Sequence, residues 1–504
     1  MAVNKNKRTA YNIVISLLGQ VIALGCGMLI PKLYIDTFGS EINGFISSVN
    51  QIFVYIALLE AGVGTATTQA LYRPVAKENP RDINEILAAT HRQYRRTGFL
   101  YLAAVAAFAA IYPLVVRSAI PWTTIVAVIA LHGGGGVLTY FLQGKYRLLL
   151  QAEGKNYILS GVSTIVNVLV SLSKVVVVLF GGNIVHIQWV YLLIYAVQSA
   201  YFIIYIKRHY KWLDLQAKPN FAAISQSSSV MTQQIAQLIF HNTDTLLLTL
   251  VCGLEVASVY AVYNTFFEVV AVLIENVNNG FVFRLGQLYN TDKEGYKRSY
   301  DVYELFYTSA SFAAYCILFI FIMPFMKLYT SGFDDAQSYL KPLLPLLFIL
   351  VKIQVSGRAP AGFTINYAGH FKENRVPAII EMIINLSVSL IAVYFWGIYG
   401  VLVGTIVALL YRSNQIIFYT NRKLLDRSPW KTYRTWLVNI ALFAAVYFAC
   451  NALNLQMGSY VQLLTRACMI APPVVLLFLA VGALTNPRAS CQVLQLLQTV
   501  RRKK

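Results

Sequence analysis

Long apolar runs separated by short polar breaks recur from one end of the chain to the other. Each run is close to the roughly 20 residues that a helix needs to cross a hydrocarbon core. They place fourteen spans at about 11–35, 41–72, 97–117, 121–144, 156–181, 186–206, 226–252, 255–289, 304–328, 338–368, 376–396, 399–421, 435–455 and 459–485. Breaks on one side are very short, as from Gly182 to Ile184 and from Cys252 to Leu254. They leave no room there for a catalytic or receptor domain, so function must sit between helices. The pattern predicts an all-α polytopic membrane protein.

Charge sets the orientation. Met1 to Arg8 is basic, and the apolar stretch from Tyr11 to Tyr34 is too long for a signal-peptide core and lacks a small-residue cleavage site, so it reads as the first span. Much of the Lys and Arg excess falls in 73–96 (Arg73, Lys77, Arg81, Arg92, Arg95, Arg96), 207–218 (Lys207, Arg208, Lys211, Lys218) and 422–434 (Arg422, Lys423, Arg427, Lys431, Arg434). Positively charged loops stay cytoplasmic, which keeps both termini in the cytoplasm and holds one alternation through fourteen crossings. The net charge of +20 is thereby accounted for without nucleic acid. Charged residues make up 12% of the chain, against about 25% in a soluble domain. Cys26, Cys252, Cys316, Cys450, Cys468 and Cys491 fall mostly inside apolar runs and never as C-x-x-C, which indicates neither a disulfide framework nor a zinc site.

A gap-free internal match pairs Gly39, Glu41, Asn50, Phe53, Ala57, Val63 and Leu71 with Gly253, Glu255, Asn264, Phe267, Ala271, Val277 and Leu285. It sets the second span against the eighth, an offset of six helices. Parallel repeats of this kind are a transporter architecture with the substrate path at the repeat interface. The expected organisation is two six-helix lobes in parallel pseudo-twofold repeat, 1–218 and 219–434, with two C-terminal helices and a basic tail in 435–504.

Seven cations lie within spans: Lys32, Lys174, Arg284, Lys352, Arg358, Arg412 and Arg466. A charge at the bilayer centre costs about 2.5–3.5 kcal/mol on insertion scales, so such a residue faces a watery cavity, pairs with a carboxylate, or snorkels to the interface. Depth favours snorkelling for Lys32, Arg284 and Arg412, and a cavity role for Lys174, Lys352 and Arg358. Buried acids form a second set: Glu60, Asp244, Glu268, Glu275 and Glu381. Glu381 and Asn385 are four apart and share a helix face. With Asp244 and Thr405 they make an oxygen-rich group that suits a hard cation such as Na⁺, or a proton. The same acids equally suit structural ion pairs with the buried Arg and Lys.

His132 with Gly133, Gly134, Gly135 and Gly136 is similar to an esterase oxyanion loop, but the chain has no G-x-S-x-G elbow. Glycines in a spanning helix more often permit close packing or a bend. No G-x-x-x-x-G-K-[ST] phosphate loop is present, so ATP is not expected to power the protein directly. No catalytic residue set emerges, and the chain is not expected to be an enzyme. Pro360 and Gly362, near Arg358, suit either a discontinuous helix at a binding site or a plain kink.

Several stretches resemble, as a set, the Wzx-type polysaccharide repeat-unit flippases of the multidrug/oligosaccharidyl-lipid/polysaccharide exporter superfamily. They are Gly44-Phe45 with Leu59 to Gly64, Lys145 to Ala152, Asn242-Thr243-Asp244, and Arg358-Ala359-Pro360 through Ala368 to Lys372 and on to Glu381 and Asn385. The resemblance implies two six-helix lobes around a cationic central cavity. Its implied substrate is an undecaprenyl-pyrophosphate-linked oligosaccharide, moved from the inner to the outer leaflet of the bacterial cytoplasmic membrane beside membrane lipids, a polysaccharide polymerase and chain-length machinery. Candidate substrate-binding residues are Lys174, Lys352, Arg358, Arg284 and Glu60. By likeness to the lipid II flippases, a sodium site would fall on Asp244, Glu381, Asn385 and Thr405, with no other cofactor. Here Glu precedes Asn where that pattern has Asn before Asp, so a proton is as suitable as Na⁺. Rival readings are a drug/cation antiporter of the same superfamily, which calls for a more acidic cavity, a membrane glycan polymerase, which calls for a large outer loop, and a scaffold for a polysaccharide assembly complex.

Overall fold

The structure is a computed structural model that describes residues 25–60, 63–224, 228–452 and 457–485. Every expected apolar run contains a helix, and the described residues contain helices and turns but no strand. The helices are α1 (25–38), α2 (Ser40–Ile56), α3 (Val63–Ala76), α4 (Pro80–Val115), α5 (Trp122–Leu138), α6 (Gly144–Ala152), α7 (Asn156–Leu179), α8 (Ile184–His209) and α9 (Ser228–Val251). They continue as α10 (Leu254–Thr291), α11 (Lys293–Tyr329), α12 (Ala336–Tyr339), α13 (Leu343–Tyr367), α14 (Phe371–Trp396), α15 (Ile398–Tyr419), α16 (Trp430–Ala452) and α17 (Tyr460–Thr485). The first part of the first span, 11–24, and the basic termini lie outside the described residues.

Among the described residues, eleven helices are long and apolar enough to cross a membrane, and the chain is a multi-pass membrane protein. Three of the expected spans are not among them. One is cut short at the edge of the described residues. The second passes, after α2, into a 3₁₀ turn at Ala57–Glu60, and residues 61 and 62 lie outside the described ones. The third, α9, carries Gln233, Gln234, Gln237, Asn242, Thr243 and Asp244 in 24 residues.

Helix length exceeds apolar length where local chemistry permits. The polar segment 73–96 is mostly helix, because Asn79 caps α4 by accepting the Arg81 and Asp82 amides ahead of Pro80 at the first turn. Ile83, Ile86 and Leu87 of this extension are buried. Asp292 likewise caps α11 by accepting the Gly295 amide at 2.9 Å, so that helix starts ahead of the expected span at 304.

The chain divides into two compact units, Met1–Met231 with Gly253–Ser258, and Thr232–Cys252 with Val259–Lys504. In the first, α4 packs on α3 and α5, and α8 on α5 and α7. The four glycines of α5 explain this closeness. Added Cβ atoms would sit 2.5 Å from Val105 at Gly133, 2.9 Å from Leu192 at Gly134, 3.0 Å from Tyr191 at Gly135 and 2.1 Å from the Tyr101 hydroxyl at Gly136. Close packing is therefore their role. The repeat's leading glycines share a geometry: Gly39 has φ +84° ahead of α2, and Gly253 has φ +91° ahead of α10, a left-handed turn that favours glycine. Gly44 of α2 lies against the first residue of α10, where an added Cβ would be 1.8 Å from the Leu254 carbonyl oxygen. Asn43 donates to Ser258 Oγ at 2.8 Å beside it.

In the second unit α13 packs on α11 and α15, α14 on α15, and α16 and α17 on α11. Tyr263 and Phe267 stack on Phe348, with ring centroids 6.1 and 5.0 Å apart. Helix α13 runs unbroken through Pro360 and Gly362, so it is not a discontinuous helix. Thr364 Oγ1 donates to the Pro360 carbonyl at 3.1 Å.

Candidate functional site

Two polar clusters in the second unit and two in the first hold most of the residues that the sequence singles out. The first centres on Asp244 of α9, which is 5% exposed. Its Oδ2 accepts the Tyr260 hydroxyl of α10 at 2.9 Å and Thr405 Oγ1 of α15 at 3.1 Å. Asn385 of α14 donates to that same Thr405 oxygen at 2.9 Å. The Asp244 Oδ1 atom is buried without a hydrogen-bond partner. An orphaned carboxylate oxygen is costly in an apolar interior, and a proton or a hard cation would remove that cost. The surrounding donors are all oxygen or amide, which suits Na⁺ rather than a transition metal. Among the described residues no group of three or more His, Cys, Asp and Glu is placed to hold a metal ion. Asn242 and Thr243 turn back onto their own helix, donating to the Leu238 and Ile239 carbonyls at 2.8 and 2.6 Å.

Glu381 is engaged elsewhere. Its Oε1 accepts Arg358 Nη1 of α13 at 2.7 Å, and its Oε2 meets Arg412 Nε of α15 at 3.1 Å. Arg412 also donates to Asn374 Oδ1 at 2.7 Å and to Gln415. The sequence favours snorkelling for Arg412, yet the residue is 2% exposed. A carboxylate and an amide acceptor sit within its reach, and pairing removes the reason to seek the interface. The result is two guanidinium groups on one carboxylate, a buried cluster with a surplus positive charge.

The other cations differ in their partners. Lys352 of α13 is buried and pairs with Glu268 of α10, whose side chain is 51% exposed. Lys32 pairs with Asp36 one turn on, at 3.4 Å. Arg284 is exposed. Lys174 of α7 is half-buried. The ion pairs of the first unit are Lys32–Asp36, Arg81–Glu85 and Lys155–Glu153, so among the described residues Lys174 has no carboxylate partner. Its charge acts on His132 of α5, whose ring stacks on Tyr191 at 4.8 Å and 4° and meets Gln188 at 3.3 Å.

Glu60 closes the 3₁₀ turn that follows α2. It accepts a hydrogen bond from Tyr94 of α4, with Tyr140 acting on it from nearby. Tyrosine counts as apolar in a hydropathy pattern, which is why Tyr260, Tyr94 and Tyr140 carry no signal in the sequence. A further network gives equally little. Arg427, in the turn before α16, donates to Asp301 and Glu304 of α11, and Glu304 also accepts Thr432 Oγ1 at 2.6 Å and Tyr300 at 3.1 Å.

No family model and no curated protein sequence matches the chain. Solved structures do. The lipid II flippase MurJ, in an inward closed conformation, superposes with a TM-score of 0.66 at 13% identity, covering 95% of this chain and 99% of that one. An inward-facing multidrug resistance MATE transporter of the MOP superfamily gives 0.61 at 14% identity, covering 81% of this chain and 97% of that one. A MOP superfamily transporter from Pyrococcus furiosus gives 0.50 at 15% identity, covering 83% and 96%. At these identities the likeness is one of fold: the chain has the fold of MOP superfamily transporters. The comparison proteins are a flippase and transporters rather than enzymes.

Proposed function

We propose that the protein flips an undecaprenyl-pyrophosphate-linked oligosaccharide repeat unit, as used for capsule, exopolysaccharide or O-antigen, from the inner to the outer leaflet of the bacterial cytoplasmic membrane, with both termini in the cytoplasm. The observation that carries this reading is surplus positive charge inside the spanning helices. Lys174 has no carboxylate partner among the described residues, and Arg358 and Arg412 share the single carboxylate of Glu381. Charges kept in a membrane at such cost mark a substrate path, and cations attract the pyrophosphate and any acidic sugars. In this reading Arg358, Lys352 and Lys174 attract the headgroup, and Arg284 and Glu60 are further candidate substrate-binding residues.

Movement between an inward-open and an outward-open state requires a bias, and an ion supplies one only by binding the two states unequally. Asp244, Thr405 and Asn385 form the coupling site, and the unpartnered Asp244 oxygen is where Na⁺ or a proton would bind. Glu381 takes part indirectly, as the counter-charge to Arg358 on the same helix as Asn385. A polymerase and chain-length proteins would receive the flipped unit at the outer face.

The test is translocation of a lipid-linked oligosaccharide in proteoliposomes holding the full chain. We expect wild-type protein to flip it, and Lys174→Ala and Arg358→Ala each to lose most of the rate at equal incorporation. Wild-type rates in both variants would sink the cation path. Export of small organic cations, with no flipping, would favour the antiporter reading suggested by the likeness to MATE transporters.

A further inference from the structure

One seam of the first unit combines charge and apolar space in an order that the transport site does not use. Arg95, Gly98, Leu102, Val105 and Ala109 recur every three or four residues and so share a face of α4. That face meets α5 and α6. At one end are His91, Arg92 and Arg95 of α4 and Lys145 of α6, and the charges acting on His91 are those of Lys145, Arg95 and Arg92. Lys145 is 4% exposed and donates to the Phe141 carbonyl at 3.1 Å, an oxygen presented by the π-helical turn Thr139–Gln143. None of the three cations, Arg92, Arg95 and Lys145, has an ion-pair partner among the described residues.

Farther along the seam the chemistry becomes wholly apolar. Gly98 admits the Phe141 ring, which meets exposed Phe99 edge-on at 5.1 Å. Beyond it lies a cleft of about 370 Å³ lined by Leu102, Ala106, Ala109, Ala130, Val137 and Leu138 among others. From Arg95 to Ala109 the helix rises roughly 21 Å at 1.5 Å per residue. One leaflet with its headgroup layer is about 20–22 Å thick, half of a roughly 40–45 Å bilayer. The seam therefore matches a single leaflet, basic where a headgroup sits and apolar where a chain sits.

We infer that this seam binds an anionic phospholipid of the surrounding bilayer, with its phosphate on His91, Arg95 and Lys145 and one acyl chain in the cleft. A soluble phosphate would leave the cleft without purpose, and a polyprenyl chain is far longer than one leaflet.

The experiment is native mass spectrometry of the full chain in detergent, titrated with phosphatidylglycerol, phosphatidylcholine or undecaprenyl pyrophosphate. We expect phosphatidylglycerol to bind at least about fivefold more tightly than phosphatidylcholine. Arg95→Gln, at an exposed side chain, should remove about that factor, the worth of one basic residue near an anionic headgroup. Ala106→Trp, which fills the cleft without touching charge, should weaken both phospholipids. Melting without added lipid checks that each variant is folded, and Lys145→Gln is avoided because the residue is buried. Equal binding of the two phospholipids, or no effect of Arg95→Gln, overturns the inference. So does displacement of phosphatidylglycerol by undecaprenyl pyrophosphate at lower concentration, which would give the seam to the transport substrate. Failure of flipping with the lipid preference intact would leave this inference standing and remove only the proposed function.

Discussion

Tyr260 donates its hydroxyl proton to Asp244 Oδ2 at 2.9 Å, and the other carboxylate oxygen of Asp244 has no partner. This one-sided satisfaction separates the two residues in their expected effects. Asp244→Asn removes the anion and should abolish the dependence of transport on a Na⁺ or proton gradient. Tyr260→Phe removes only a donor and should shift that dependence while keeping it. Gradient-jump assays in proteoliposomes read both. An Asp244→Asn variant that keeps full ion dependence would remove this cluster from coupling.

Glu381 is the only carboxylate shared by Arg358 and Arg412 among the described ion pairs. Taking one member from a buried charge cluster costs about 3–5 kcal/mol because the partners stay buried. Glu381→Ala should therefore lower thermal stability in detergent strongly. Adding Arg358→Ala should recover part of the loss, since one orphaned guanidinium is then gone. If the double variant melts no higher than the single, the pair is not coupled as described.

Gly44 has no space for a side chain, with a Cβ position 1.8 Å from a backbone oxygen. Backbone cannot swing aside as a side-chain tip can, so Gly44→Ala should cost at least the roughly 1–3 kcal/mol typical of overpacking. Gly27→Ala meets no described atom within 4 Å and should not destabilise. Fluorescence-detected size exclusion after graded heating separates the two, and equal melting of both variants would contradict the close approach.

Arg427 lies outside the spanning helices. Burial opposes its charge, but Glu304, Tyr300 and Asp301 outweigh that and hold its pKa above the usual arginine range. A raised cation pKa gives stability that is complete below the unfolded value and is lost only as pH climbs through the folded one. Arg427→Ala should thus destabilise by about 3–5 kcal/mol, with a deficit that does not vary across neutral pH. Melting curves at several pH values check this, and a deficit that grows or shrinks through that range would point to a different partner.

The spans were legible because apolar length and loop charge are sums over many residues, and single errors do not shift them. The group of Asp244, Asn385 and Thr405 was legible for a related reason: oxygen-bearing side chains are scarce inside spans, so few combinations exist. The destination of Glu381 was not. Its spacing from Asn385 fixes a shared face, but only packing of α13 and α15 on either side of α14's face brings Arg358 and Arg412 to its two oxygens. Glu60 shows the same limit. An unbroken apolar run hides the change to 3₁₀ winding at Ala57–Glu60, since hydropathy records solvent preference and not backbone hydrogen bonding. The extension of α4 to Pro80 runs the other way, because the Asn79 cap continues a helix beyond the length that the apolar pattern marks.

The glycine run of α5 has a mechanical meaning. Gly133 and Gly136 seat side chains of α4, and Gly134 and Gly135 seat side chains of α8, so α5 is keyed on two sides like a shaft in a slot. A side chain larger than hydrogen at any of the four positions would have to push a neighbouring side chain aside. Helices α4, α5 and α8 are thereby packed at unusually short range. Bending within this unit is better accommodated where the helical winding already changes, at the 3₁₀ turn Ala57–Glu60.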